Sequence, residues 1–292
     1  MGALCRFGVR ALRGGAGFVR GMALSSDQEE NRHMNVSAAL CVIATYTVVP
    51  SLSNLCCASD DFVVTLSRCL DYGSPAVRTD ALTVIRNVAS SLQLQKSPHL
   101  VQSLNALVDP PASPSPSLLS ATFKAVANLA QLPANGDVLS TSLSDSYFGL
   151  ATTHLLKDIA LGSKSDAFHP TQDAAINLIL ALSRSCHSLK RRVASSDAVV
   201  GACVAVACCS EVQGALRGAS GRALRAMTVP DSPRFTDSVL AREAMIVSSC
   251  LEASLGGGNP DIVTDLGHLL THVTSLKERE ARRARMEQHA AA

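Results

Sequence analysis

The sequence predicts an all-α protein, a right-handed α-solenoid of about five to six helical repeats. An apolar helical motif, clearest in Ala81-Leu82-Thr83-Val84-Ile85-Arg86-Asn87-Val88-Ala89, returns every 41 to 53 residues, with equivalent positions at Tyr46, Val88, Leu129, Leu182, Met227 and Val273. Within each return, apolar residues recur at three and four, the period of a helix with one buried stripe. Breaks rich in Pro, Gly and Ser separate the returns. A supersecondary unit repeated in this way has a hydrophobic face too large to leave in water and too small to form a core alone, so it stacks on copies of itself.

Composition agrees. Of 292 residues, 47% are hydrophobic and only 3% aromatic, with no Trp, which suits a helical protein long enough for a substantial core. The formal charge of +2, from 26 Lys plus Arg against 24 Asp plus Glu, is too small to argue for nucleic acid on electrostatic grounds.

That balance hides an asymmetry at the amino terminus. Arg6, Arg10, Arg13 and Arg20 all precede the first acidic residue, Asp27, and without residues 1 to 20 the charge becomes −2. On a helix the four arginines share one face, with Leu4, Phe7, Ala11, Phe18 and Met22 roughly opposite, which is the basic amphipathic character of a mitochondrial presequence. Residues 1–26 are therefore expected to be a presequence. The alternative is a disordered basic tail, because Gly14, Gly15 and Gly17 weaken a helix. Gly2 and Cys5 suggest acylation, but Arg6 stands where that pattern requires Ser or Thr. The arginines interrupt any secretory apolar run.

Residues 34 to 59 carry no formal charge. The continuous apolar part, Val36 to Val49, is nevertheless shorter than the roughly 20 residues that cross hydrocarbon, so a buried core helix is expected and no transmembrane segment. Ten cysteines sit in helical patterns, with Cys41, Cys69, Cys203 and Cys250 at core-like positions. Vicinal Cys56-Cys57 and Cys208-Cys209 offer neither a zinc knuckle nor a CxxC redox motif. All are expected to be reduced and to pack as small hydrophobes.

Helix pairs follow in order. Residues 61–70 carry Phe62, Val63, Leu66 and Leu70 at helical spacing. Asp71-Tyr72-Gly73-Ser74-Pro75 then stops that helix and opens the next, 76–92, which buries Val77, Ala81, Leu82, Ile85, Val88 and Ala89. Leu100, Val101, Leu104 and Leu107 begin another pair, continued after a Pro-rich break by 118–132. Further pairs are 147–159 with 171–186, 198–209 with 215–227, and 238–255 with 260–276. Residues 35–49 read as a second helix without its partner.

Leu70 to Ala89, a turn followed by a long helix ending in an Ala, Leu, Asn, Leu, Ala-like pattern, resembles the armadillo repeat. Asn128-Leu129-Ala130 repeats its ending. The other units match in apolar spacing alone, so the resemblance is to the armadillo/HEAT-like class and covers residues 34–276. It implies a concave face of long helices that binds extended segments through Asn and a residue one turn earlier. Here those positions are Asn87 and Asn128, with Thr83 and Lys124 before them. Further along, the row reads Asn177, Arg222, His268 and His272. With no Trp platforms, an acidic or polar protein segment is the expected ligand, since guanidinium and amide groups need acceptors. The competing reading has the asparagines bonding neighbouring backbone and the basic residues solvated.

Catalytic and metal chemistry is not indicated. His268 and His272, four apart, share a helical face, but no third ligand or catalytic Glu accompanies them. Cys186 and His187 are adjacent and so point about 100° apart on a helix, which is poor for a nucleophile and its base. The glycine clusters follow no strand and match no phosphate-binding pattern. Carboxylates at Asp60-Asp61, Asp80, Asp173 and Asp261 are expected at helix starts. Two Ser-Pro steps in the 109–117 break read as a linker with phosphorylation as the alternative, and residues 277–292 as a charged helical tail.

The expectation is therefore a non-enzymatic scaffold or adaptor with no cofactor, binding other proteins as a subunit of a mitochondrial multiprotein assembly. An RNA-associated solenoid of a mitochondrial RNA-processing or translation complex is the alternative. It requires a contiguous positive stripe that a near-neutral body does not promise. A cytoplasmic location, a helical enzyme with a cryptic Cys or His site, and a soluble chaperone cofactor complete the alternatives.

Overall fold

The computed structural model describes residues 26–71, 74–109, 114–161, 169–228, 232–255 and 260–291. The expected presequence, apart from its last residue, the Pro110–Ser113 part of the linker and the 256–258 glycines lie outside the described residues. Among the described residues there is no strand, and fifteen α-helices follow one another: α1 Ser26–Thr47, α2 Pro50–Cys57, α3 Asp60–Asp71, α4 Pro75–Val88, α5 Pro98–Ala106, α6 Pro116–Ala130, α7 Pro133–Ser142, α8 Ser146–Leu161, α9 Pro170–Arg184, α10 His187–Ala194, α11 Asp197–Cys208, α12 Gly214–Met227, α13 Pro233–Leu240, α14 Glu243–Leu255 and α15 Pro260–Ala291. A 3-10 turn, Leu94–Lys96, precedes α5.

This order corrects the pairing read from the sequence. After α1 the elements come in threes, a short helix or 3-10 turn, a second helix and a long third helix, as in α2–α3–α4 or α10–α11–α12. The stretch 238–255 is two helices broken at Ala241-Arg242. The short helices escape periodicity because eight to ten residues hold barely two turns. Most of them open on proline, which pre-sets φ and lacks only an N–H that the first turn leaves unbonded anyway. Asp60 and Asp61, Asp173 and Asp261 stand in first turns as expected. Asp80 does not: it lies inside α4 and accepts a hydrogen bond from Ser37 of α1.

The chain divides into two compact units, 1–147 and 148–292. In the first, the third helices α1, α4 and α6 stack in succession, as do α3 and α5. Val88 and Leu129 are fully buried, and Phe62, Leu66, Leu70, Leu82, Ile85, Leu92, Phe123 and Tyr147 form the body of the core. In α1 the stripe is rotated by one residue from the expected register. It buries Val36, Leu40, Ile43 and Thr47, and leaves Tyr46 46% exposed and Cys41 at the surface. The uncharged run is consequently not a buried core helix, since Val42, Val48 and Val49 are exposed as well. No helix is long and apolar enough to cross a membrane among the described residues.

Buried amides and hydroxyls join successive repeats of this unit. Asn135, in the first turn of α7, has no exposed surface. It donates to Leu92 O at 2.9 Å and Leu129 O at 3.0 Å and accepts from Leu94 N at 2.9 Å. Leu129 O, at the end of α6, also accepts from Leu132 N at 3.3 Å, while Leu92 and Leu94 flank an irregular turn, so one amide bonds three backbone groups and supplies the partner that burial would otherwise deny Leu92 O and Leu94 N. Asn105 does likewise, donating to Ser142 O at 2.7 Å and accepting from Ser144 N at 3.1 Å. The Tyr147 hydroxyl donates to Leu104 O at 2.8 Å while its ring packs 6.3 Å from Phe123.

In the second unit α9, α12 and α15 stack, with α11 packed on α12 and α13. Leu182 and Met227 are fully buried, among Ile179, Val200, Val204, Leu224, Phe235 and Leu266. Gly221 lets α12 approach α15, since a Cβ there would stand 3.1 Å from Asp265 Cβ. The Arg242 guanidinium covers Gly201 and grips both oxygens of Asp197 at 3.0 and 3.3 Å. Hydrogen bonds from Arg242 and Ser238 hold the Asp197 carboxyl below its usual range. Helix α15 runs from the core straight through the charged tail, which is tied back by a Lys277–Glu243 ion pair. Cys69 and Cys203 are core residues as expected, whereas Cys250 is only half-buried. The described cysteines are free thiols.

Two outcomes follow from these contacts. Asn135→Ala removes three bonds at once and lowers the unfolding free energy by roughly 3 kcal/mol, read from the urea midpoint, and Asn135→Asp does not rescue it because a carboxylate has no N–H for Leu92 and Leu129. Burial pushes the Cys69 thiol up to about 11 and the Cys203 thiol up to about 12 from 9.0. Because the native state holds these protons more tightly, their contribution is complete below pH 9 and is lost as pH climbs towards 11 to 12. Urea midpoints should therefore fall from pH 9 upward, and fall less steeply in Cys203→Ala.

Candidate functional site

The residues singled out from the sequence occupy third helices in both units: Thr83 and Asn87 on α4, Lys124 and Asn128 on α6, Asn177 on α9, Arg222 on α12, and His268 and His272 on α15. Thr83, Asn87, Lys124 and Asn128 are half-buried along one row of the first unit. Thr83 Oγ1 donates within its own helix to Thr79 O at 3.1 Å. The asparagines reach across: Asn87 Nδ2 donates to Ala44 O at 2.9 Å, and Asn128 Nδ2 to Arg86 O at 3.3 Å. Both acceptors lie near the end of the preceding third helix, where backbone donors run out, and Ala44 O also accepts from Thr47 Oγ1 at 3.1 Å. Each amide thus caps its neighbour, and keeps its Oδ1 and second N–H for other bonds.

In the second unit Asn177, Arg222 and His268 are exposed and His272 is half-buried. Burial, then Arg279 and Lys190, lower the His272 pKa. Its Nε2 is buried without a hydrogen-bond partner among the described residues. No group of three or more His, Cys, Asp or Glu gathers as metal ligands among the described residues.

Arg222 opens onto a cleft of about 780 Å³ within the second unit. The end of α9 contributes Arg184 and Ser185, the start of α10 Cys186, His187 and Lys190, α12 adds Arg225, and α15 adds Asp261 and Asp265. Arg225 reaches Asp265 at 3.6 Å. Asn177, His268 and His272 are not among the residues that line this cleft. Cys186 and His187 do line it, each bonded within α10. Cys186 caps α10, its Sγ accepting from Leu189 N at 3.4 Å, and His187 Nε2 lies 3.2 Å from Arg191 Nη2.

Sequence reasoning missed Arg184, Lys190 and Arg225. Two signals pointed to them: the basic run around the α9–α10 junction, with Arg184, Lys190, Arg191 and Arg192 inside nine residues, and the three-residue spacing of Arg222 and Arg225, which sets both on one face of α12. Ser115 of the linker also has a local role, its Oγ accepting from Leu118 N at 3.4 Å as the cap of α6.

Solved structures of designed proteins share this fold. An engineered protein aligns with a TM-score of 0.64 at 16% identity, over 94% of this chain and 98% of that one. A designed armadillo repeat protein aligns at 0.56 and 14%, over 91% and 98%. Another, in complex with peptide (KR)4, aligns at 0.55 and 14%, over 92% and 98%. No protein-family model and no curated protein matches the chain. The likeness shows the fold, an all-α armadillo-like helical repeat.

The asparagine row predicts a graded loss. Asn87→Ala leaves Ala44 O the Thr47 hydroxyl and costs about 1 kcal/mol, while Asn128→Ala, whose bond is longer and more exposed, costs less, both read as shifts in the urea unfolding midpoint.

Proposed function

We propose that this protein is a non-catalytic scaffold or adaptor that holds other proteins, working as a subunit of a multiprotein assembly, and that residues 1–26 direct it to mitochondria. The observations that carry the reading are polar and cationic side chains on third helices, taken unit by unit: Asn87 and Asn128 along one row of the first, and Arg222 beside a cleft within the second. Rigid stacked helices hold such groups in place before a partner arrives, so little ordering entropy opposes binding. A designed protein of the same fold is in complex with the basic peptide (KR)4. The cationic wall around Arg222 favours the opposite charge, an acidic or polar segment. The cleft sulfur and imidazole are bonded to their own helix rather than to each other, which supports binding rather than turnover.

The test is purification of the tagged full-length chain from its native cells. A protein partner in fixed ratio, retained after nuclease treatment and found in the mitochondrial fraction, is the expected result. Retrieval that nuclease abolishes would replace this reading with an RNA-associated one, and an intact Met1 on the mature chain would count against a cleaved presequence.

A further inference from the structure

The cleft of the second unit has more cationic groups than its own carboxylates can balance. Arg184, Lys190, Arg222 and Arg225 line it together with two aspartates, and Arg225 reaches Asp265 at 3.6 Å. Arg184, Lys190 and Arg222 have no carboxylate partner among the described residues. Cations brought together in this way repel one another unless an anion enters, and a cleft with low-dielectric walls focuses that field. One further group on the wall lacks a partner: Ser185 Oγ is buried with no hydrogen-bond acceptor or donor among the described residues.

From this arrangement we infer that the cleft is a docking site for an acidic peptide segment, carrying two or more carboxylates within a few residues. The inference rests on the scaffold reading and names where one partner segment binds. Arg184 and Arg222 fork onto side-chain carboxylates, a geometry that suits the planar guanidinium. Lys190 adds a third charge, and Ser185 offers its hydroxyl. The two carboxylates of the lining select for peptide over nucleic acid, because Asp261 and Asp265 repel a chain of phosphates. The volume of about 780 Å³ falls in the range of enclosed ligand sites and exceeds what a single inorganic anion fills.

The test uses the full chain and fluorescence polarisation with four labelled probes of matched size: an octapeptide alternating Glu and Ser, its Gln and Lys counterparts, and a single-stranded RNA. The Glu peptide should bind, weaken steeply with added salt, and bind about tenfold tighter than the Gln peptide. Arg184→Ala and Arg222→Ala should each weaken it by about tenfold, Arg222→Lys by less, and Arg68→Ala in the first unit not at all. Far-ultraviolet circular dichroism checks that the variants keep their helices. Equal affinity for the Glu and Gln peptides, or a Glu affinity indifferent to Arg184 and Arg222, overturns the inference. So does RNA binding that is tighter and is lost in the same variants. If the Glu peptide fails while the tagged chain still retrieves a nuclease-resistant protein partner, the cleft assignment falls and the scaffold reading stands.

Discussion

Each third helix carries an apolar face that water cannot be left to cover, and burying it against the third helices beside it is the constraint behind the rest of the structure. Val88, Leu129, Leu182 and Met227 mark that face in four successive repeats, and all are fully buried. Side chains of this kind each contribute roughly 1.5–3 kcal/mol when taken out of water. No single repeat encloses a core by itself, so the stabilisation belongs to pairs of neighbours and cooperates along the chain. The near absence of aromatics fits this arrangement. Ala, Val and Leu let helices approach closely, as at Val84, Ala125 and Ala174, and glycine brings α12 still nearer to α15.

Stacking has a polar cost, because every short link between helices carries backbone groups into the interface. The chain meets it with amides and one phenol. Asn135 completes three backbone groups, Asn105 two, Tyr147 one, and Asn87 and Asn128 cap the carbonyls of the helix before them. An amide suits the task because it donates and accepts from one small planar group. These bonds also set register: an apolar stripe tolerates small rotations and slides, while a buried hydrogen bond with a wrong partner costs the full desolvation of both groups.

The same geometry explains why surface charge gathers where it does. Helix α9 ends at Arg184, α10 begins three residues later, and Arg222 and Arg225 of α12 come alongside because α9 and α12 are stacked neighbours. Asp261 and Asp265 sit in the first two turns of α15, where the helix dipole favours negative charge. A cleft lined by both cations and carboxylates follows from helix ends alone. Cys186 and His187 serve there as parts of a helix start.

How far the chain could be read in advance depends on how local each property is. Helix type, the repeat period and the buried stripes of α3, α4, α5 and α6 were legible, because three- and four-residue periodicity is written into neighbouring residues. The short helices α2, α7, α10 and α13 were not, since two turns give too little periodicity. Tyr46 and Cys41 misled because the stripe of α1 is set by Val36, Leu40, Ile43 and Thr47 meeting α4, a rotation that local pattern cannot specify. Asn135 carries no periodic signal, and the fold sets it beside Leu92, Leu94 and Leu129. Arg184 and Arg222 were visible as charges but not as a pair. The sequence by itself determined that this chain forms helices and repeats them; only the tertiary structure decided which faces are covered, which amides bridge repeats and which cations share a cleft, because those outcomes depend on atoms some 40 residues apart, and helical periodicity carries no information over that distance.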